Sequence, residues 1–529
     1  MNLRNYIQNN FLLLDGAMGT MLQKAMRPGQ RPDLLSITNP SVVESVHKTY
    51  FSAGSQLVYA NTFGANAHKL EGTGYSVEEV ISASIAAAKK AAGTHGLVAL
   101  DIGSLGELLE PSGSLPFENA YNMFVQQINQ GVKSGADCIV IETMSDLNEV
   151  RAAVLAAKEN STLPVFVSMT FEPTHRTFTG CPVGAMGVLL ESMGVDAVGI
   201  NCSLGPEEIY PIAEELSQWT SLPLLAKPNA GLPGPDGAYP VGPEAFAKQM
   251  EQYLPLGVHL FGGCCGTNPD TIAQLQQMLA AHKPILESRS SVRAVCTATA
   301  VIRLDQAPVL LGDSSKTDQS LVESAFSSGD PEELLDLSDE LGDAGASLFL
   351  IRERPEHPFP DDTVSSAITE LQSMCSMPLA FACAEPAHLN SALRAYCGKA
   401  LAFLPGSSAE WISPCRKYGA AVVVPSGNDP IAEWEKLRLA NIPEQDRFLL
   451  VEDEILNNKS FVDQFLQKIF SYALPCSSLV IQLSDETNHV LLQKLLELGI
   501  RLFIPKGSNS SQSDFISNYP FDSPPLYSK

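Results

Sequence analysis

The chain has 529 residues, 45% of them hydrophobic, which is enough to bury more than one sizeable core and predicts at least two domains. Its formal net charge of -25 argues against a nucleic-acid partner, because neutralising phosphates needs clustered Lys and Arg. Residues 1–10 lack a basic flank followed by an apolar signal core, and no run approaches membrane-spanning length, so a cytoplasmic protein with no membrane partner is expected. The eleven dispersed cysteines should then stay reduced.

In the first half, apolar strand-like runs at 12–15, 57–63, 97–103, 138–143, 165–171, 198–202, 222–229 and 259–264 alternate with amphipathic helical patterns such as 42–53, 77–92, 119–134, 147–158 and 209–219. Eight strand/helix units in this length predict an α/β fold of the (β/α)8 TIM type over residues 1–286. An open doubly wound sheet is the rival. In such a barrel, function sits where strands end and loops begin. The polar residues closing the runs are Asp15, Asn61, Asp101, Glu142, Cys202, Asn229 and the adjacent pair Cys264 and Cys265.

Neighbouring cysteines cannot close an ordinary disulfide without severe distortion, but both can ligate one ion. The glycines around them in Gly262-Gly263-Cys264-Cys265-Gly266-Thr267 free the backbone to turn both sulfurs to one centre. With Cys202, in Gly199-Ile200-Asn201-Cys202-Ser203, they predict a three-thiolate zinc site whose fourth position is left for substrate. Gly16, Ala17, Met18, Gly19 and Thr20 offer backbone N–H groups at a helix start, suited to a carboxylate. Glu142 and Asp15 suit an ammonium. A carboxylate, an ammonium and a metal-bound soft atom together describe an amino acid with sulfur in its side chain.

Leu14-Asp15-Gly16-Ala17-Met18-Gly19-Thr20, Ala60-Asn61-Thr62-Phe63-Gly64-Ala65-Asn66, Ile141-Glu142-Thr143, the Asn201/Cys202 motif, Pro228-Asn229-Ala230-Gly231 and the Cys264/Cys265 motif, in that order, resemble the homocysteine S-methyltransferase family. The form of the Asn61 motif is closest to the homocysteine barrel of the cobalamin-dependent methionine synthases. The resemblance implies that Cys202, Cys264 and Cys265 hold Zn²⁺ and that homocysteine enters as a fourth, sulfur ligand. Three anionic protein ligands leave the metal little net positive charge, which keeps a bound substrate thiolate nucleophilic. It also implies that Glu142 and the Asp15–Thr20 loop lie at the amino-acid group, with Asn61, Asp101 and Asn201 among the substrate residues. Asn229 is implied near zinc, at the position the substrate sulfur takes.

A polar stretch at 287–296 reads as a linker. Beyond it, strand-like runs at 309–312, 347–351, 379–383, 400–404, 421–424, 448–452, 479–483 and 501–504, separated by helical patterns, predict a second, smaller (β/α)8 barrel over 297–506. Residues 507–529, rich in Ser, Asn and Pro, read as an irregular tail. Through the stretches around Arg394 and Lys417–Val424 this half resembles the pterin-binding, methyltetrahydrofolate barrel family. It departs from that family at the polar positions: Gly312-Asp313-Ser314-Ser315 replaces a Gly-Glu-Arg-x-Asn turn, Arg352 stands where an asparagine closes the second strand, and Ala382 and Phe403 replace an acid and an asparagine. A buried heterocycle cannot do without such hydrogen-bond partners, so folate binding is doubtful and the barrel reads as degenerate. Asp-x-His-x-x-Gly, the base-off cobalamin signature, is absent, so no cobalamin module is read in this chain. The expected enzyme transfers a methyl group to L-homocysteine, with methylcobalamin on a separate corrinoid protein as donor. The alternatives are a methyltetrahydrofolate, sulfonium or betaine donor, or a non-catalytic thiol- or zinc-binding regulator.

Overall fold

The computed structural model describes residues 2–505 and 516, apart from 28, 236, 286–288, 317–318, 329, 428, 453–458 and 484–488. The tail expected at 507–529 therefore lies outside the described residues except for position 516. The chain divides into two units, Met1–Ser290 and Ser291–Lys529.

In the first unit eight parallel strands, β1 (Leu12–Leu13), β2 (Leu57–Tyr59), β3 (Leu97–Ile102), β4 (Cys138–Met144), β5 (Val165–Met169), β6 (Ala197–Asn201), β7 (Leu224–Lys227) and β8 (Val258–Phe261), alternate with helices. They are ordered β1-β8-β7-β6-β5-β4-β3-β2, a TIM-type barrel. The eight predicted runs coincide with them, but the hydrogen-bonded ladders stop short. Asp15, Asn61, Cys202, Asn229, Cys264 and Cys265 all lie just past a strand end, in loop backbone free to aim their side chains. Helix starts follow local chemistry: a capping box from Ser76 and Glu79 opens Val77–Ala92, and Asp146 caps Leu147–Asn160.

Because β1 is only two residues long, a backbone bond and several side chains join it to β2. The Gln56 N–H donates to the Leu13 carbonyl at 2.7 Å, while the Gln56 side-chain oxygen accepts from the Leu13 N–H at 2.9 Å. Ser55 Oγ donates to the Leu14 carbonyl at 3.1 Å, and Asp15 Oδ2 accepts from the Tyr59 N–H at 2.8 Å. Inside the barrel Leu12, Tyr59, Val140, Phe166, Leu225 and Leu260 pack with Leu3 and Ile7 of the helix Leu3–Asn9. That helix closes the N-terminal end of the strands, where the Ile7 carbonyl meets His259 Nδ1 at 2.7 Å and Arg4 pairs with Asp196 at 2.7 Å. The opposite end stays open as the functional mouth.

The second unit begins with an antiparallel hairpin, β9 (Ala294–Cys296) and β10 (Val301–Arg303). A closed parallel barrel follows: β11 (Val309–Asp313), β12 (Leu348–Arg352), β13 (Leu379–Ala382), β14 (Leu401–Phe403), β15 (Ala421–Pro425), β16 (Arg447–Val451), β17 (Leu479–Gln482) and β18 (Leu502–Ile504). Val295 joins the barrel interior, Cys296 exchanges backbone hydrogen bonds with Lys399, and a buried Lys399–Asp446 pair at 2.5 Å lies beside the hairpin end of the strands. The stretch read as linker is thus partly built into the two units. Arg289 donates to the Leu256 carbonyl at 3.0 Å and to the Leu222 carbonyl, and β9 falls within 287–296.

His47, on the helix Pro40–Ala53, is fully buried, and neither ring nitrogen has a partner among the described residues. Burial pulls its pKa down from 6.5 to about 4. The unfolded chain therefore takes up a proton that the folded chain refuses, and the stability present above pH 6.5 is lost as pH falls towards 4. The expected loss by pH 5 is about 2 kcal/mol. His47→Leu should remove it, read as a smaller drop in the denaturant midpoint between neutral and acid pH than in the wild type.

Candidate metal and amino-acid site

At the open end of the first barrel a cavity of about 690 Å³ is lined by Asp15 to Thr20, Asn61, Asp101, Glu142, Cys202, Cys264 and Cys265. These residues come from the ends of six different strands. The sequence-predicted Asn201 and Asn229 are not in its wall. Asn201, wholly buried, orders the neighbours instead: its Oδ1 accepts from the Thr143 N–H at 2.9 Å and Ser168 Oγ at 2.8 Å, and its Nδ2 donates to Thr143 Oγ1 at 2.6 Å and Glu142 Oε2 at 3.3 Å. Asn61 Nδ2 donates to the Pro32 carbonyl at 2.8 Å, pinning the loop after β1. Buried Asn229 Oδ1 has no partner among the described residues, an acceptor left for something the protein alone does not supply.

The sulfurs of Cys202, Cys264 and Cys265 all lie within 4.8 Å of one another, and none forms a disulfide. Thiolates on a tetrahedral zinc, each about 2.3 Å from the ion, stand about 3.8 Å apart, so the trio fits such an ion. Backbone conformation sets the cluster. Cys202 and Ser203 adopt φ of 61° and 64°, left-handed values that turn the chain sharply off β6. The Cys202 N–H donates to the Lys227 carbonyl at 3.0 Å and the Cys264 N–H to the Pro228 carbonyl at 2.8 Å, so one segment positions both cysteines. Thr267 Oγ1 donates to the Cys264 carbonyl at 2.7 Å and accepts the Ala17 N–H at 3.2 Å, tying the β8 loop to the β1 loop. Hydrogen bonds from the Cys202 and Cys264 thiols hold Cys265 down at about 3, while the bonds Cys264 makes to Cys202 and Cys265, together with burial, push it well up. The protein alone stabilises one thiolate here. Ionising all three within so small a space requires a cation.

Beside the thiols lies a buried charge cluster whose key member the sequence reading passed over. Lys227, the last residue of β7, is 3% exposed, 3.0 Å from Asp15 Oδ1, and its Nζ sits 3.5 Å from the centroid of the Tyr59 ring. Its one sequence signal was a lysine inside an apolar run. Burial alone would lower its pKa, but the Asp15 and Glu142 carboxylates outweigh that and hold it above the usual lysine range. Burial raises Glu142 to about 7, against the pull of Lys227, and burial and then Glu142 push Asp101 well above the carboxylate range. Asp101 Oδ1 is buried with no partner among the described residues. The cluster carries spare acceptor capacity for a cation. The wall also includes a loop not foreseen from sequence, Gly29 to Asp33, held by Asp33 Oδ1 accepting from the Gly64 N–H at 3.1 Å and by Arg31 donating to the Gly64 carbonyl at 3.1 Å.

The class of protein that fold and site define is a (β/α)8 barrel with three thiols clustered closely enough to hold a metal ion beside a carboxylate-lined cavity at its mouth. Residues 12–279 match the homocysteine S-methyltransferase family model, and the chain belongs to that family. It is 32% identical over 289 residues to the methionine synthase of Mycobacterium leprae (strain TN), covering 50% of this chain and 24% of that protein. To the methionine synthase of Mycobacterium tuberculosis (strain ATCC 25618 / H37Rv) it is 32% identical over 302 residues, covering 53% and 25%. The match spans about a quarter of the length of these relatives. Among solved structures, the metallated form of the homocysteine methyltransferase MmuM from Escherichia coli aligns with 25% identity and a TM-score of 0.44, covering 51% of this chain and 96% of that one. Its apo form aligns with 26% identity and a TM-score of 0.41, covering 51% and 96%.

Removing Lys227 would leave Asp15 buried and unpaired. Lys227→Met is expected to destabilise the first barrel by about 3–5 kcal/mol, and adding Asp15→Asn should recover much of that loss. Chemical denaturation of both variants checks it.

Proposed function

We propose that the first barrel is a zinc-dependent homocysteine S-methyltransferase that converts L-homocysteine to methionine. The single observation behind this reading is the convergence of three sulfurs within 4.8 Å in the lining of a cavity that also carries the Asp101 carboxyl, one oxygen of which has no partner among the described residues. Cys202, Cys264 and Cys265 would hold the ion. Bound there, zinc supplies the Lewis acidity that strips the proton from the substrate thiol and leaves a nucleophilic sulfur. Glu142 and Asp101 receive the ammonium of homocysteine, with Lys227 moderating the negative charge they build up. The Met18, Gly19 and Thr20 amides, at the first turn of the helix Met18–Leu22, take its carboxylate; the Ala17 N–H is already engaged by Thr267. In this reading Asn229 Oδ1, without a partner among the described residues, would serve the position the substrate sulfur takes, and Asn201 positions Glu142.

The methyl donor in this reading is methylcobalamin on a separate corrinoid protein that meets the open mouth. The second barrel supports a donor from outside the chain. At the C-terminal ends of its first two strands the Asp313 carboxylate is engaged by Arg352, with Nη2 3.0 Å from Oδ2, and by the Ser315 N–H at 2.9 Å. Ala382 and Phe403 belong to its apolar core. The positions singled out from sequence for a pterin are thus replaced or already paired, and this barrel is read as a docking scaffold. A small sulfonium or betaine donor is the second reading, favoured by a cavity larger than one amino acid needs.

Purified protein should contain about one zinc with three sulfur neighbours, and its zinc K-edge spectrum should gain a fourth on addition of L-homocysteine. Cys264→Ser should lose zinc and methyl transfer together. Zinc loss with methyl transfer intact would overturn the mechanism, and a panel of methylcobalamin, methyltetrahydrofolate, S-methylmethionine and betaine separates the donors.

A further inference from the structure

Glu353 follows the last residue of β12, and its side chain is wholly buried at the C-terminal end of the second barrel. A carboxylate there needs partners on both oxygens, and three groups converge on it. Its Oε1 accepts the Phe359 N–H at 2.7 Å, its Oε2 accepts the Ala384 N–H at 2.7 Å, and His388 Nδ1 stands 2.7 Å from Oε1. Phe359 belongs to the loop after β12, Ala384 to the loop after β13 and His388 to the helix Pro386–Ala395. The Phe359 ring stacks on Phe326 with centroids 3.8 Å apart, so residue 359 is held by backbone and ring alike.

The far side of the imidazole meets a second carboxylate. His388 Nε2 lies 2.7 Å from Asp361 Oδ1; the His388 side chain is 6% exposed and that of Asp361 89%. An ionised carboxylate only accepts, so both contacts are hydrogen bonds only while both ring nitrogens carry protons. When one proton is lost, the buried Glu353 oxygen has no water to replace its donor, so the remaining proton stays on Nδ1. The Nε2 lone pair then faces Asp361, which can turn to solvent at little cost. Among the described residues these two carboxylates are the ring's hydrogen-bond and ion-pair partners. Glu385, at the start of the same helix, is exposed, and burial pushes the Cys383 thiol, in the field of Glu353, well up so that it stays neutral.

We infer that Glu353, His388 and Asp361 form a proton-dependent latch at the mouth of the second barrel, tying the 360–363 turn to the helix Pro386–Ala395 while the imidazole is charged and releasing it when the Nε2 proton leaves. The latch stands apart from the metal reading of the first barrel. Burial opposes the charge on His388, but Asp361 and Glu353 outweigh it and hold the ring above the usual imidazole range. Because the folded value lies above the unfolded 6.5, the latch contributes fully below pH 6.5 and is lost as pH rises through the raised value. Only the turn is released, since Phe359 stays fixed by Glu353 and Phe326 at every pH in this range.

The test uses the full-length chain with isotope-labelled histidine, its nine imidazoles titrated by NMR and His388 assigned with His388→Gln or, should that variant not fold, by the resonance that Asp361→Asn moves. Amide hydrogen exchange of residues 361–363 is followed over the same pH range, corrected for the intrinsic pH dependence of exchange. His388 should titrate above free imidazole, and protection of the turn should fall about tenfold across that titration while Phe359 keeps its own. Asp361→Asn, a change at an exposed side chain, should lower the titration and leave the turn unprotected at every pH. A His388 that titrates at or below the free value, an Asp361→Asn chain that titrates like wild type, or protection of the turn that does not change across the titration each overturns the latch.

Discussion

The mouth of the first barrel is organised around one buried ion pair, Asp15 with Lys227. Both residues are almost inaccessible to water, so each charge requires the other. The second Asp15 oxygen accepts the Tyr59 N–H across the seam between β1 and β2, while the Lys227 ammonium sits against the Tyr59 ring. One carboxylate therefore closes the barrel where the backbone ladder is shortest and neutralises the cation at the end of β7. The Lys227 carbonyl in turn accepts the Cys202 N–H, so the backbone that places the ion pair also places the first cysteine.

Around this pair the site divides its labour by electrostatics. Three thiols crowd together on one side, where the interactions among them lower Cys265 and raise Cys264. On the other side, burial raises Asp101 and Glu142 above the usual carboxylate range, against the pull of Lys227. Such a site is frustrated without cations: it has more potential anions than it can ionise. In the proposed function, a divalent ion at the sulfurs and an ammonium at the carboxyls would together relieve that crowding, linking metal and substrate through one field. The left-handed backbone at Thr143, Cys202 and Ser203 concentrates strain at the same place.

The two barrels share a building plan. Each has its N-terminal end closed by the element that precedes its first strand, the helix Leu3–Asn9 in one and the β9–β10 hairpin in the other. They differ at the opposite end. In the first, Asp101 Oδ1 and Asn229 Oδ1 have no partner among the described residues, whereas in the second Asp313 is engaged by Arg352 and Ser315 and Ser426 Oγ is left open. A common scaffold thus carries different side-chain chemistry at its two mouths.

Much of this was legible in the sequence, because it is written in local pattern. Alternating apolar runs and helical periodicity located sixteen barrel strands, eight in each half, and the glycine-flanked Cys264/Cys265 pair with Cys202 marked the site. Asn201, singled out by its motif, spends its side chain on Glu142, Thr143 and Ser168, since a motif records proximity to a site and not the direction of a side chain. Lys227 was hidden in an apolar run because its partner Asp15 is 212 residues away, and no periodicity connects the two. The seating of Tyr239 on Gly266 and the Gly29–Asp33 loop in the cavity wall were equally invisible. Sequence alone determined which strands form, in what order, and which sulfurs converge, because each follows from short-range spacing and barrel closure. Tertiary structure decided which charges are paired, which acceptors stay open and which ring seats against the cysteine turn, because burial and long-range contact set those energies.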